Sequence, residues 1–154
     1  MTLIVSKDSG IIPQVLTAIL DRCVNGVTLA DPDLDDCPIV YANKAFEDLT
    51  GYGQEEIIGR NSRFLDGEDT DNSELKRMRE SLKKHEAVKV TLKSYRKDGS
   101  TFYNLMEATP LFDQKGNVIY YLGVQYDITY KVNAEHEIKE LHERLNVNDG
   151  VSFE

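Results

Sequence analysis

Gly59-Arg60-Asn61-Ser62-Arg63-Phe64-Leu65 runs directly into Asp66-Gly67-Glu68-Asp69-Thr70-Asp71, and the rest of the chain is organised around this stretch. Downstream, Asp71 and Glu74 stand three residues apart in the form of a capping box. Leu75, Met78 and Leu82 then give an apolar face to a helix reaching about Lys84, with no glycine or proline inside it. Upstream, Asn43 is placed to cap a short helix over Lys44 to Leu49. Thr50-Gly51-Tyr52-Gly53 ends that helix, because glycine accepts the left-handed turn at a helix C-terminus. Short helices therefore crowd the middle of the chain.

Strand patterns lie on both sides. Val27 to Ala30 and Ile39 to Ala42 are short apolar runs separated by Asp31-Pro32-Asp33-Leu34-Asp35-Asp36-Cys37-Pro38, which reads as a hairpin with a polar tip. After His85 the period changes from helical to alternating, with Val88, Val90 and Leu92 interleaved with Lys89, Thr91 and Lys93. Lys97-Asp98-Gly99-Ser100 turns the chain, and Thr101 to Leu111 and Asn117 to Ile128 follow as strands joined through Asp113-Gln114-Lys115-Gly116. Five strands with helices inserted after the second specify an α+β domain with an antiparallel sheet, not a βαβ repeat.

The flanks read as helices. Ile12, Leu16, Ile19 and Cys23 recur at helical steps over Ile11 to Cys23, with Pro13 in the first turn. Such a stripe covers the sheet or makes a dimer contact. From Tyr130, Ala134, Ile138, Leu141 and Leu145 are spaced four, three and four, a narrow seam of the kind that pairs helices. The seam is too short for an isolated helix to be secure, so it calls for a partner surface. Asn146 to Glu154 reads as a frayed tail, with Asp149-Gly150 ending the helix. The chain thus divides into a flanking helix within residues 1–25, a core over 26–128, and a C-terminal helix and tail over 129–154.

With 154 residues, 40% hydrophobic and 29% charged, the chain suits one domain with an ordinary core. A net charge of −9 and a pI near 4.8 argue against nucleic acid as a direct partner. No run approaches a membrane span, and residues 1–10 lack the form of a signal peptide, so a cytoplasmic location is expected. Cys23 and Cys37 show neither a disulfide framework nor a metal-site pattern and read as ordinary thiols.

Several residues carry candidate binding chemistry. Arg63 and Arg79 have the guanidinium fork that suits phosphate, and equally read as exposed surface arginines. Asn104 and Gln125 fall on adjacent strands, in register with Phe102 and Met106 on one and Tyr121 and Gly123 on the other. A carboxamide on an inner strand face needs hydrogen bonds or costs about 1–3 kcal/mol. One such residue is often a satisfied core group; two on neighbouring strands favour a polar ligand. No acid/base pair, metal cluster or activated nucleophile is visible, and with no kinase, DNA-binding or cyclase segment in the sequence the chain is read as not an enzyme.

The central stretch closely resembles the flavin-cradling segment of LOV (light, oxygen, voltage) photoreceptor domains, a branch of the PAS fold whose usual form is G-R-N-C-R-F-L-Q-G. The resemblance covers about Gly26 to Ile128. It includes Asp31-Pro32, Asn43 with Phe46, Leu49-Thr50-Gly51-Tyr52, Glu55-Glu56-Ile57-Ile58-Gly59, Tyr95-Arg96-Lys97-Asp98-Gly99, Phe102-Tyr103-Asn104 and Tyr121-Leu122-Gly123-Val124-Gln125. It implies a PAS/LOV fold and a small single-domain sensor of bacterial or archaeal type. By resemblance, Asn61, Asn104 and Gln125 hydrogen-bond a flavin, Arg63 and Arg79 hold its phosphate, and Leu65, Met78, Leu82 and Tyr121 line its ring. The short link from Phe64 to Asp71 favours FMN over FAD or riboflavin, held noncovalently.

The chain departs from the family's pattern at three of these positions. Ser94 stands where many members place a further asparagine, and its single hydroxyl recognises a pyrimidine edge more weakly. Asp66 replaces glutamine and brings either a charge or a proton to the ligand. Ser62 stands at the reactive cysteine position, and a hydroxyl without a base is a weak nucleophile, so no cysteinyl adduct is expected.

The resemblance implies a blue-light sensory module in which photoreduction or fluorescence replaces the adduct. Tyr121 and Tyr103 are the nearest electron donors by strand position, and signalling runs through Gln125 into the helix from Tyr130. The alternatives are a light-independent flavin-binding or redox-sensing module, an engineered Cys-to-Ser dark-state variant, and an interaction domain without flavin. A homodimer through the terminal helices is expected, with output by dimer geometry or a separate effector protein.

Overall fold

Alternating apolar residues build the sheet first. The computed structural model describes residues 18–152. In chain order the elements are β1 (Gly26–Ala30), β2 (Ile39–Ala42), α1 (Lys44–Thr50), α2 (Gln54–Ile57), a 3-10 turn (Ser62–Leu65), α3 (Asn72–Lys83), β3 (Val88–Tyr95), β4 (Thr101–Phe112), β5 (Val118–Asp127) and α4 (Thr129–Ser152). The strands form one antiparallel sheet in the order β2-β1-β5-β4-β3, so the last strand fills the centre and pairs with the first. Helices enter after the second strand, as the α+β reading expects.

Local chemistry fixes each junction. Asn43 caps α1 by accepting from the Phe46 N–H at 3.0 Å, and the same oxygen accepts from Val27 N–H at 2.8 Å. Its amide nitrogen donates to the carbonyls of Leu20 and Asn25, so one buried side chain joins the N-terminal segment, β1 and α1. Gly51 ends α1 at φ 79°, the left-handed geometry a glycine tolerates. Arg96 donates from Nε to the Leu49 carbonyl and from Nη1 to the Thr101 carbonyl, fastening the end of α1 to the β3–β4 turn.

The core falls into two clusters. Ile39, Ala42, Phe46, Ile57 and Leu65 form one, beneath the short helices. Val88, Val90, Leu92 and Ala108 form the other, covered by Leu75, Met78 and Leu82 of α3. A cavity is lined from both clusters.

Three element-level expectations change. Of the helix expected over Ile11 to Cys23, residues 11–17 lie outside the described residues, residues 18–20 are helical, and the chain turns at Asp21-Arg22, so Cys23 is not helical. Asp149-Gly150 does not end the C-terminal helix, which runs to Ser152. Only half of the α3 capping box forms. Asp71 accepts from the N–H groups of Ser73 and Glu74, whereas Glu74 turns away to pair with Arg77 and to accept from Thr91 N–H at 3.2 Å. That choice ties the first turn of α3 to β3. No helix among the described residues is long and apolar enough to cross a membrane.

Candidate functional site

The cavity has a volume of about 340 Å³, within the range of small-molecule sites. Its floor is the inner face of the sheet. Met106 pairs with Gln125 across β4 and β5, and Asn104 stands two residues from Met106, so the two carboxamides are diagonal neighbours. Leu92 faces Asn104 from β3 and Thr28 faces Gly123 from β1. The roof is α3, which supplies Leu75, Met78, Arg79, Leu82 and Lys83, and one end is closed by the 3-10 turn with Asn61, Ser62, Arg63, Leu65 and Asp66.

All twelve residues named from the sequence line this one cavity: Asn61, Ser62, Arg63, Leu65, Asp66, Met78, Arg79, Leu82, Ser94, Asn104, Tyr121 and Gln125. Their states differ. Asn104 and Gln125 are 1% and 2% exposed, and Asn104 Oδ1 and Gln125 Oε1 find no hydrogen-bond partner among the described residues. Each buried unpaired oxygen costs about 1–3 kcal/mol, which a donor-bearing ligand relieves. Gln125 Nε2 donates weakly to Thr28 Oγ1 at 3.4 Å. Gly123 leaves space for this pair, since a Cβ there would stand 2.6 Å from Thr28 Oγ1 and 3.0 Å from Gln125 Nε2.

Asn61 is spent differently. Its Nδ2 donates to the Asp36 carbonyl at 2.7 Å and its Oδ1 caps the 3-10 turn through Arg63 N–H. Arg63 is exposed and paired with the Asp36 carboxylate, whose pKa it lowers through a hydrogen bond. Both residues therefore stand at the cavity while bound to the β1–β2 turn. Burial raises the Asp66 carboxyl above the usual aspartate range, against the smaller pull of Arg63 and Arg79. Tyr121 OH donates to the Leu82 carbonyl at 3.2 Å, joining β5 to the end of α3. The arrangement suits a flat apolar ring with a polar edge and an anionic tail: aliphatic walls, two unpaired amide oxygens, and cations at the mouth.

Two expectations are revised. Tyr103, read as a nearby electron donor, lines a separate shallow hollow with Asp69, Asp71, Glu74, Thr91 and Lys93, and Lys93 Nζ lies 5.8 Å from its ring centre. Cys37, read as an ordinary thiol, lines the cavity. The sequence reading also missed Thr28, Ala30, Ile39, Leu75, Lys83, Leu92, Met106 and Ala108. The two-residue period would have found Met106 and Ala108, which share a face with Asn104; the turn residue Cys37 gave no comparable signal.

Fold and site together define a PAS-type sensory domain, and the PAS domain profile matches residues 24–130. The chain is 40% identical to the LOV domain from the Erythrobacter litoralis EL346 blue-light-activated histidine kinase, with a TM-score of 0.67, over 70% of this chain and 99% of that one. It is 38% identical to the Aureochrome1 LOV light-state structure, with a TM-score of 0.69, over 83% and 98% of the two chains. The chain belongs to the PAS domain family and, within it, to the LOV domains.

Among curated proteins, the chain is 43% identical over 77% of its length to blue-light-activated histidine kinase 1 of Erythrobacter litoralis, and spans 33% of that protein. It is 37% identical over 83% of its length to a blue-light photoreceptor of Listeria monocytogenes, and spans 52% of it. The expectation that the protein is not an enzyme is therefore corrected. A similar LOV sequence forms one third of a kinase, so the lack of catalytic groups within a sensory domain does not decide enzyme status. An RNA-binding light-oxygen-voltage receptor is also similar, at 32% identity and a TM-score of 0.80, over 96% of this chain and 42% of that one. The expectation that nucleic acid is not a partner therefore stands against similarity to a receptor described as RNA-binding.

Proposed function

We propose that the chain is a blue-light sensory module that holds FMN noncovalently in the cavity between α3 and the sheet. The observation that carries this reading is the pair of buried, unpartnered oxygens, Asn104 Oδ1 and Gln125 Oε1, on an otherwise apolar floor. When bound, the flavin supplies blue-light absorption and redox chemistry. Leu65, Met78, Leu82 and Tyr121 exclude water from its ring, and Asn104, Gln125, Ser94 and Asn61 offer polar groups to its edge. Arg63 and Arg79 match its phosphate; Arg63 commits Nη2 to Asp36 and has further guanidinium N–H donors to offer. The link of a few residues between the 3-10 turn and α3 supports FMN over FAD, and riboflavin would bring no phosphate to Arg63 and Arg79.

Residue 62 offers a hydroxyl, and no histidine lines the cavity to activate it. Light therefore leads to fluorescence or photoreduction, not to a sulfur–carbon bond from this position, whether the serine is native or introduced. Asp66, raised by burial, holds a proton beside the cavity at a pH where an exposed aspartate has lost it. The route outward begins at Gln125. Two residues on, Asp127 accepts from the N–H and hydroxyl of Thr129 and so ties the end of β5 to the first residue of α4. The helix then biases a homodimer or a separate effector protein.

The test is an absorption spectrum of the purified protein before and after blue light, in air and then with a reductant and no oxygen. The expected result is a structured blue band that bleaches under reductant without the blue-shifted species of a sulfur adduct. Colourless protein would remove flavin and leave a PAS interaction domain. Ser62 favours one further reading, a light-independent redox sensor. A change in α4 on chemical reduction in the dark, with none on illumination, would select it.

A further inference from the structure

The β1–β2 turn brings a thiol to the cavity. Cys37 lines the same space as the unpartnered oxygens of Asn104 and Gln125. It is partly exposed, so the residue meets solvent as well as the cavity wall. Its place is held. Asp36 and Cys37 both adopt left-handed backbone, at φ 67° and 46°, a conformation that persists in non-glycine residues where the surroundings impose it. The clasp is the Asn61 Nδ2 bond to the Asp36 carbonyl together with the Arg63–Asp36 ion pair. The same 3-10 turn carries Ser62, so the clasp fastens the remaining thiol to the segment whose own thiol is missing.

We propose that Cys37 is the cavity's reducing thiol and a site of light-dependent covalent modification by small thiols. The proposal rests on the flavin reading above and names the donor that photoreduction requires. In the net step, the S–H bond of Cys37 and the S–H bond of a low-molecular-weight thiol break, and one S–S bond forms between the two sulfurs. The two electrons and two protons released pass to the bound flavin, which is reduced as the sulfurs are oxidised.

Protonation makes the step depend on light, and the chemistry of sulfur separates Cys37 from the neighbouring tyrosine. Burial first, then the charges of Asp31 and Asp36, push the Cys37 thiol up, so it remains protonated near neutral pH and exchanges slowly with disulfides in the dark. Tyr121, the tyrosine among the named cavity residues, has its hydroxyl engaged with Leu82 and is likewise raised, first by burial and then by Cys37. A thiol can keep the oxidation as a disulfide with a second thiol, which a phenol cannot.

Cys23 supplies an internal control: it is also a free, partly exposed thiol, and it does not line the cavity. The full chain, loaded with flavin, would be illuminated with blue light in 2-mercaptoethanol without oxygen, beside a dark sample. Peptide fragmentation would then locate any mixed disulfide. The expected result is a disulfide at Cys37 in the illuminated sample, none in the dark, and none at Cys23. Cys37→Ser should bleach severalfold more slowly per bound flavin than wild type, and Cys23→Ser at the wild-type rate. Equal modification of both cysteines, or wild-type bleaching in Cys37→Ser, overturns the proposal. Protein that takes up no colour overturns the flavin reading as well, and is seen before any illumination.

Discussion

Gln125 is held under opposing demands. Its Oε1 is buried without a partner, its Nε2 has a long bond to Thr28, and glycines at 26 and 123 keep the space around it open. Leucine has nearly the same volume and no polar atoms. Gln125→Leu should therefore stabilise the ligand-free protein by about 1 kcal/mol, read from urea unfolding, because an unsatisfied carbonyl is removed. The same change should weaken flavin binding and abolish the light-dependent change in α4. A variant that kept that change would sink the signalling route through Gln125.

Asp66 makes a second prediction at this scale. Its folded pKa is raised, so between the ordinary aspartate value and the folded value the unfolded chain has lost a proton that the native chain still holds. Its contribution to stability is fully present below that ordinary value and is lost as pH rises through the folded one. Asp66→Asn should flatten the stability curve across this window in a series of denaturant midpoints. It should also tighten FMN binding at pH values above the folded pKa, where the carboxyl carries a negative charge beside Arg63 and Arg79 that the amide lacks.

Among the elements, the link between the 3-10 turn and α3 is stitched to the end of β3. Thr70 Oγ1 donates to the Lys93 carbonyl at 2.6 Å, and Tyr95 OH accepts from Asp69 N–H at 3.0 Å. Gly67 lies against the Tyr95 ring, where a Cβ would stand 2.3 Å from Cε1. Gly67→Ala should displace the ring and cost about 1–3 kcal/mol in unfolding free energy, as overpacking does. Flavin affinity should fall with it, because the link carries the roof of the cavity.

Periodicity made most of this architecture legible. The alternation from Val88 to Lys93 placed β3, and the spacing of Leu75, Met78 and Leu82 placed the buried face of α3. The twelve residues named with the help of the family resemblance all line the cavity, and the paired carboxamides were visible on strand register as well. What stayed hidden depends on distance in space. Glu74 has the right offset for a capping box, but Thr91 and Arg77 compete for its carboxylate. Cys37 reaches the cavity through a left-handed turn clasped by residues some two dozen positions on, which no local pattern records.

At the scale of the molecule, α4 is the element left unpartnered among the described residues. It begins well anchored, with Ile128 N–H donating to the Tyr103 carbonyl at 2.9 Å and Thr129 Oγ1 accepting from Tyr103 N–H at 2.9 Å. Beyond Ala134 every residue through Asn146 is exposed, including Ile138, Leu141 and Leu145 at 56%, 53% and 54%. With no described residue of its own chain packed against it, this stretch lacks the tertiary packing from which most helical stability comes, and its apolar residues fall on one narrow seam. A second copy of the seam satisfies both conditions. The chain is thus expected to sediment as a dimer, and Ile138→Glu with Leu141→Glu to sediment as a monomer with reduced helicity in circular dichroism. The cavity lies on the far side of Asp127 from these positions, so the double variant should keep wild-type flavin absorption. A double variant that remained dimeric would place the interface elsewhere; one that lost its flavin would mean that helix pairing supports the cavity as well as the signal.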